Sequence, residues 1–541
     1  MTHKPLKRAL LNKNSVIGLA AAMISLPALA DPFIITPLAT YKHSANFDVS
    51  AAEIVSYDPH SKHFFVVNAD AATIDVLALQ EDSLTLEPAQ ACQQLPLSLV
   101  NGEDGFVLGG PNSVDSYNGL VAVALEHDDK QSAGRVAVFN TDDCSLWDSY
   151  PAGALPDMVA FSPDGNLLVV ANEGEPSDDY TVDPEGSITI VNLQRNSVEQ
   201  AGFDAFNAEE HELRAAGVRV FGPGASVAQD LEPEYVAITP DSATAYVTLQ
   251  ENNAVATVDL ATATITAVNA LGTKDHSRRK NALDYTNKDD RAHIVKAPFV
   301  GMYQPDAIGT FQRGRHTFLV TANEGDARDY EGFSEEVRVE DLNLDSDLVA
   351  RYPGFLDGDD LGRPKTSTVD GDIDNDGDVD TVHLFGARSI SVWRVKNDGS
   401  LKLVGDSGSD LEQAIAQQHP ALFNATNDED GLDNRSDDKG PEPEALSLVE
   451  IDHVPYAFVS LERSSQIAIF DLSQIRRPEL VQVVSNRVNG ALGADLGPES
   501  VIYVSAADSP IGRALMVVAN EVSGTTTIYT IESRHPSHGG Y

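Results

Sequence analysis

The sequence predicts an all-β fold, a seven-bladed β-propeller of the YVTN/WD40-like type with an acidic insertion in blade five. Three observations predict it: one strand-turn-strand unit recurs along the chain, its copies leave room for four strands each, and the last copy lacks a strand that the start of the chain can supply. The clearest copy opens at Pro156-Asp157, runs to Phe161, turns at Ser162-Pro163-Asp164-Gly165, returns from Leu167 to Asn172-Glu173 and adds an alternating strand from Ser187 to Val191. Short apolar, β-branched runs bounded by Gly, Pro, Asp and Ser read as strands. Further copies open near Glu53, Pro111, Pro233, Pro305, Pro443 and Pro498. Second strands are expected at His63 to Asn68, Leu120 to Glu126, Ala245 to Glu251, Thr317 to Glu324, Tyr456 to Glu462 and Leu515 to Glu521. Third strands follow at Thr73 to Leu77, Arg135 to Phe139, Ala254 to Asp259, Ser389 to Trp393, Gln466 to Asp471 and Thr525 to Ile531. Four-stranded units of ~40–45 residues are the mark of propeller blades, which protect their sheet edges by radial repetition. A β-sandwich would also be strand-rich, but it does not require this recurring internal order. The final unit has three evident strands, and Phe33 to Tyr41 is a strand-like segment with no unit of its own. Placing that segment as the outer strand of the last blade seals two open edges at once. The largest insertion, about residues 325–382, leaves blade five after Glu324 and returns near His383. A second acidic insert, about 427–439, precedes blade six.

Residues 1–30 read as a secretory signal. Lys4, Lys7, Arg8 and Lys13 precede an apolar run from Val16 to Leu29, and Ala28-Leu29-Ala30 supplies the small-x-small cleavage pattern before Asp31. The run is shorter than the roughly 20 apolar residues of a membrane span. The expected mature protein, residues 31–541, is thus a single extracytoplasmic propeller, periplasmic or secreted, without a transmembrane span. Its C-terminus, from Glu532 to Tyr541, has no apolar tail. The chain carries 83 acidic against 37 basic residues, a net charge of −46, and losing a signal with four basic and no acidic residues takes this to −50. Such a field repels nucleic acid and anionic membrane and draws cations, so divalent cations are the expected partners, alongside a surface or extracellular ligand. A hydrophobic content of 42% excludes a disordered polyanion. Cys92 and Cys144 could pair in an oxidising compartment, or be two small core residues.

The strongest local signal for chemistry is Asp370-Gly371-Asp372-Ile373-Asp374-Asn375-Asp376-Gly377-Asp378-Val379-Asp380. Alternating oxygen ligands around a glycine wrap a short loop about a hard cation, as in the first half of an EF-hand loop, and point to calcium. With Asp372 as position one, Asp374, Asp376 and Asp380 fall at three, five and nine, and Asp378 offers its main-chain carbonyl at seven. Position twelve is His383 rather than a bidentate Glu, so a further carboxylate must come from elsewhere; a solvated acidic loop is the plainer alternative. A second constellation follows from the repeat. The acids of the Pro-acid pairs, Asp157, Glu234, Asp306, Glu444 and Glu499, should ring one mouth of the axial channel. The Asn-Glu pairs Asn172-Glu173, Asn323-Glu324 and Asn520-Glu521 end second strands. Two of these loops are elaborated in parallel, Asn172 to Tyr180 and Asn323 to Tyr330, sharing Asn-Glu-Gly-acid and then Asp-Tyr. Glu173, Glu175, Glu324 and Asp326, with Arg328, are therefore the leading channel-mouth candidates, although turn capping also uses such residues.

The segments Asn323 to Glu331, Asp370 to Trp393, Lys439 to Asp471 and Leu496 to Tyr529 resemble the choice-of-anchor I family of exported bacterial proteins. The most specific part is Lys439-Gly440-Pro441-Glu442-Pro443-Glu444-Ala445 with Leu496-Gly497-Pro498-Glu499-Ser500. That group is similar to mesenchyme-specific cell-surface glycoproteins associated with biomineral deposition. The resemblance implies a propeller, export and calcium association. Bacterial relatives are also commonly labelled alkaline phosphatases. A calcium-binding scaffold or recognition module is accordingly the leading functional expectation, and a metal-dependent phosphoesterase the alternative. The latter needs cationic groups for phosphate, for which Arg328, Arg388, Arg435, Lys439 and Arg463 are candidates unless they only neutralise neighbouring acids. The sequence has no Gly-x-Ser-x-Gly elbow, His-Glu-x-x-His helix or P-loop.

Overall fold

Along Leu167–Asn172, the central strand of the clearest repeat, every residue after the first is buried. Successive strand side chains point to opposite faces, and here each face meets a different neighbour. Leu168 and Val170 pack with Ala122, Val136 and Val138 of the preceding repeat, while Val169 and Ala171 pack with Val247 and Ala256 of the following one. Both faces being covered is why these strands read as continuous apolar runs rather than as strict alternation. The computed structural model describes residues 31–429, 431–488 and 494–534. The expected signal segment and the last residues of the C-terminus lie outside them.

Among the described residues each repeat forms one four-stranded antiparallel sheet, seven such sheets in all. In blade one the strands are Val55–Asp58, His63–Asn68, Thr73–Leu79 and Leu86–Pro88. In six of these sheets the strands follow one another in chain order from the innermost to the outermost, and apolar clusters fill the gaps between successive blades. A further cluster, in which Val55, Phe64 and Leu77 meet Val504, Leu515 and Ile528, joins the last blade to the first. Phe33–Lys42 pairs antiparallel with Thr525–Ser533 and so supplies the last blade's outer strand. Its register shifts between Pro37 and Ala39, which suits an edge strand, where a proline removes no needed donor. Cys92 and Cys144 form a disulfide across 52 residues, tying the end of blade one to the outer hairpin of blade two.

The blade-five insertion departs from the expected boundary. The chain leaves the blade after Asn323 and re-enters it at Ser389 rather than near His383. His383–Leu384 instead pairs in parallel with Val300–Met302, which also pairs with Thr273–Asp275. The insertion is thus built from two stretches, one of them in the connection from blade four. Together they have their own core, in which Phe299 and Phe355 meet with ring centroids 5.6 Å apart. A two-stranded ribbon, Glu336–Arg338 with Lys365–Ser367, completes it.

Candidate functional site

The acidic loop folds back on itself through its own backbone. Asp372 accepts from the amides of Asp376 and Gly377, and Asp380 accepts from the amide of Ile373 at 2.8 Å. Gly377 takes a left-handed φ of 96°, which lets the chain reverse here. The result brings carboxylate oxygens of Asp372, Asp374 and Asp380 within 4.8 Å of one another. A second group at the same spacing consists of Asp345, Asp378 and Asp380. Asp345 thus brings a carboxylate from outside the loop to Asp378 and Asp380, though not into the group formed by Asp372, Asp374 and Asp380. Main-chain hydrogen bonds between Asn343 and Val379 and between Asp345 and Val379 hold it alongside the loop, and its side chain also caps the helix Ser346–Arg351. Asp378 thus presents its side chain and not only the expected carbonyl. Asp376 belongs to neither group and accepts from the Asp378 amide. The Asp374 carboxyl is raised chiefly by Asp376, and that of Asp378 by desolvation and then by Asp376 and Asp345. His383 turns its Nδ1 to the Thr381 carbonyl at 2.9 Å, and desolvation holds its pKa down.

At the axial channel the Pro-acid pairs acquire a structural meaning. In blades three and seven the ladder pairs the proline with Asn172 or Asn520 and then skips a residue, so Asp157 and Glu499 sit on β-bulges. The same shift follows Pro443 and Pro111. A bulge re-aims the extra residue's side chain, here toward the axis. Asp157, Glu234, Asp306 and Glu499 line a cavity of about 710 Å³, together with Glu53, the equivalent residue of blade one, and Asn112 of blade two. Glu173 and Glu175 line it as well. Burial, then neighbouring carboxylates, raise Asp157, Glu173, Glu234, Asp306, Glu444 and Glu499 above the usual carboxylate range. Glu53 is pushed up to about 8 by burial and then by Glu521 and Asp157.

The asparagines of the Asn-Glu pairs are framework. Asn172 donates to Thr189 at 2.9 Å, Asn323 to Ser391 at 2.9 Å and Asn520 to the Thr525 carbonyl at 3.1 Å, each tying strand two to strand three. The glutamate that follows is left just beyond the strand: Glu173 lines the cavity, while Glu324 pairs with Lys439 and Glu521 accepts from Ser50. The two elaborated loops meet each other: Tyr330 donates to Glu175 at 3.0 Å and its ring packs edge-on to Tyr180. Their shared glycines both have positive φ, and a Cβ on Gly325 would come 2.1 Å from the Gly386 amide.

The candidate phosphate-binding cations are all engaged with acids. Arg328 pairs with Asp230 and with Glu232, and lies 4.6 Å over the Phe221 ring. Arg388 pairs with Glu412 at 2.8 Å, and Arg435 with Asp438 and Glu442 at 2.9 and 2.7 Å. Arg463 lies 3.2 Å from Glu442 and 3.1 Å from Glu462. Lys439 lies 2.9 Å from Glu324, 3.1 Å from Asp326 and 3.4 Å from Glu442. Burial alone would raise Glu442, but Lys439, Arg435 and Arg463 outweigh it and hold the carboxyl down to about 2. Ion pairs and a main-chain hydrogen bond connect Asp370, at the start of the acidic loop, to Arg328. Arg219 binds both Asp370 and Glu335, and Glu335 accepts from the Arg328 amide.

Residues 53–475 match the family model described as the choice-of-anchor I domain. Gigasin-3a from Magallana gigas is 30% identical over 187 residues, covering 32% of this chain and 64% of that protein. The mesenchyme-specific cell surface glycoprotein of Strongylocentrotus purpuratus is 27% identical over 199 residues, covering 31% of this chain and 26% of that one. The chain thus spans under two thirds of the first relative's length and about a quarter of the second's. Among solved structures, hydrazine synthase of Kuenenia stuttgartiensis aligns with a TM-score of 0.43 at 12% identity over 90% of this chain and 98% of that one. The WD40 domain of Toxoplasma gondii coronin aligns at 0.44 and 9% identity, over 93% and 89%.

Proposed function

Because the chain belongs to the choice-of-anchor I family, we propose that it is an extracytoplasmic calcium-binding propeller, a scaffold or recognition module at a cell or mineral surface. The observation that carries this reading is the convergence of Asp372, Asp374 and Asp380, with Asp345 and Asp378 beside them. The donor set is all carboxylate oxygen, the chemistry a hard cation prefers over softer metals. Calcium would be held by Asp372, Asp374 and Asp380, and Asp345 would supply the charge that His383 cannot. Bound there, the ion would offset the repulsion among these acids and tie the loop to the helix at Ser346–Arg351. Export is supported by the Cys92–Cys144 disulfide, since such bonds persist in oxidising compartments, and by the curated cell surface relative. No helix among the described residues is long and apolar enough to cross a membrane.

A phosphoesterase reading needs cations free to meet phosphate. The ion pairs of Arg328, Arg388, Arg435, Lys439 and Arg463 favour the scaffold instead. The test is thermal: ligand binding to the native state alone stabilises by about 2.7 kcal/mol at 100 times the dissociation constant. Calcium should raise the melting temperature of chelator-treated protein, and Asp372→Asn/Asp374→Asn should reduce that rise by the loop's share with the blades still folded. An unaltered response in the variant would contradict the reading.

A further inference from the structure

Glu462, Glu499 and Glu521 each bring a carboxylate oxygen within 4.8 Å of the other two. Oxygens bound to one calcium ion are at most about 5 Å apart, so this corner of the channel mouth has the spacing of a chelate. The adjoining triad Glu324, Glu442 and Glu462 has the same spacing, but there a cation is built in: Lys439 Nζ lies 2.9 Å from Glu324 and 3.4 Å from Glu442. At the first corner Glu462 is also partnered, by Arg463 at 3.1 Å and by Asn427, which donates to it at 2.7 Å, and Ser50 donates to Glu521 at 2.5 Å, so the open member is Glu499. Glu499 makes no side-chain hydrogen bond or ion pair among the described residues. An independent observation comes from blade four. Glu234 is only 8% exposed, lines the cavity of about 710 Å³ that Glu499 also lines, and its carboxylate likewise has no hydrogen-bond or ion-pair partner among the described residues. Nearby, Glu251 Oε2 is buried without a partner. A carboxylate withdrawn from water and left unpaired is costly, and a ligand that brings positive charge removes the cost.

We propose that the channel mouth binds a divalent cation of the calcium type, separate from the acidic loop, with Glu462, Glu499 and Glu521 as its chelating corner and Glu234 adding charge from blade four. The test is calorimetric titration of chelator-stripped mature protein with calcium chloride, in three forms: wild type, Asp372→Asn/Asp374→Asn and Glu499→Gln/Glu521→Gln. The loop variant should retain a saturable calcium event. The channel variant should lose that event, weakened about tenfold or more, while keeping the loop's. A loop variant that binds no calcium, or an event unchanged by Glu499→Gln/Glu521→Gln, would overturn the proposal. Because the substitutions remove repulsion, the stripped channel variant should melt no lower than wild type. Should it melt lower, Glu234→Gln decides the matter, with unchanged binding again overturning the proposal. Failure of the loop reading looks different, as no event lost on changing Asp372 and Asp374.

Discussion

Glu53 shows how the channel mouth couples charge to stability. Its native pKa is pushed up to about 8 from an ordinary 4.5, so the folded protein keeps a proton that the unfolded chain gives up. The stabilisation from that proton is complete below about pH 4.5 and is lost as pH rises to about 8. In metal-free buffer, Glu53→Gln should therefore raise the melting temperature at pH 8.5 by several degrees, and leave it nearly unchanged at pH 4.5. Thermal unfolding at the two pH values checks this, and an equal shift at both would show that Glu53 is not held neutral. Glu53 was legible in part, since it opens blade one where other blades place a Pro-acid pair. Asp345 and Glu442 were not. Asp345 joins the loop through main-chain pairing with Val379, from 34 residues upstream, and no local spacing announces that. Glu442 lies beside the Pro443-Glu444 pair, but its cationic partners Arg435 and Lys439 from the second acidic insert and Arg463 from blade six come together only in the fold.

At the scale of the element, strands were read well wherever apolar runs fill both faces of a blade. They were missed where a strand is short and its partner remote. Thr273–Asp275, Val300–Met302 and His383–Leu384 hold too few residues to show a period, and the parallel pair joins residues about 80 positions apart. The Pro-acid pairs were recognised as repeats, but not as bulges, because a bulge is a property of two strands and not of one. The disulfide belongs to this scale too. Closing a 52-residue separation restricts the unfolded chain by about 4 kcal/mol on a loop-entropy estimate. Cys92→Ser/Cys144→Ser should lose stability of that order in denaturant unfolding, at an unchanged native circular dichroism spectrum. A loss near zero would mean that native strain cancels the entropy.

Ring closure and charge are properties of the whole molecule. Phe33, 1% exposed, packs edge-on to Tyr456 with centroids 5.0 Å apart and against Phe458, so the closing strand is fastened to blade six as well as to the last blade. Phe33→Ala should cost about 3–5 kcal/mol, as large-to-small core changes do, and should expose the N-terminal strand to limited proteolysis first. Resistance equal to wild type would show that closure rests on main-chain pairing alone. The ring was legible because repetition implies it, and the closing strand because one blade was short of an edge; such a ring gathers acids at its mouth and on its largest insertion, in a chain whose net charge is −46, a field that draws cations. The most direct measurement of the central claim is calcium binding to the chelator-stripped mature protein at physiological ionic strength, followed by calorimetry in wild type and in Asp372→Asn/Asp374→Asn. The account predicts saturable calcium binding in the wild type and the loss of its loop component in the variant. Wild-type protein that takes up no calcium, or a variant whose isotherm overlays the wild type, would contradict it.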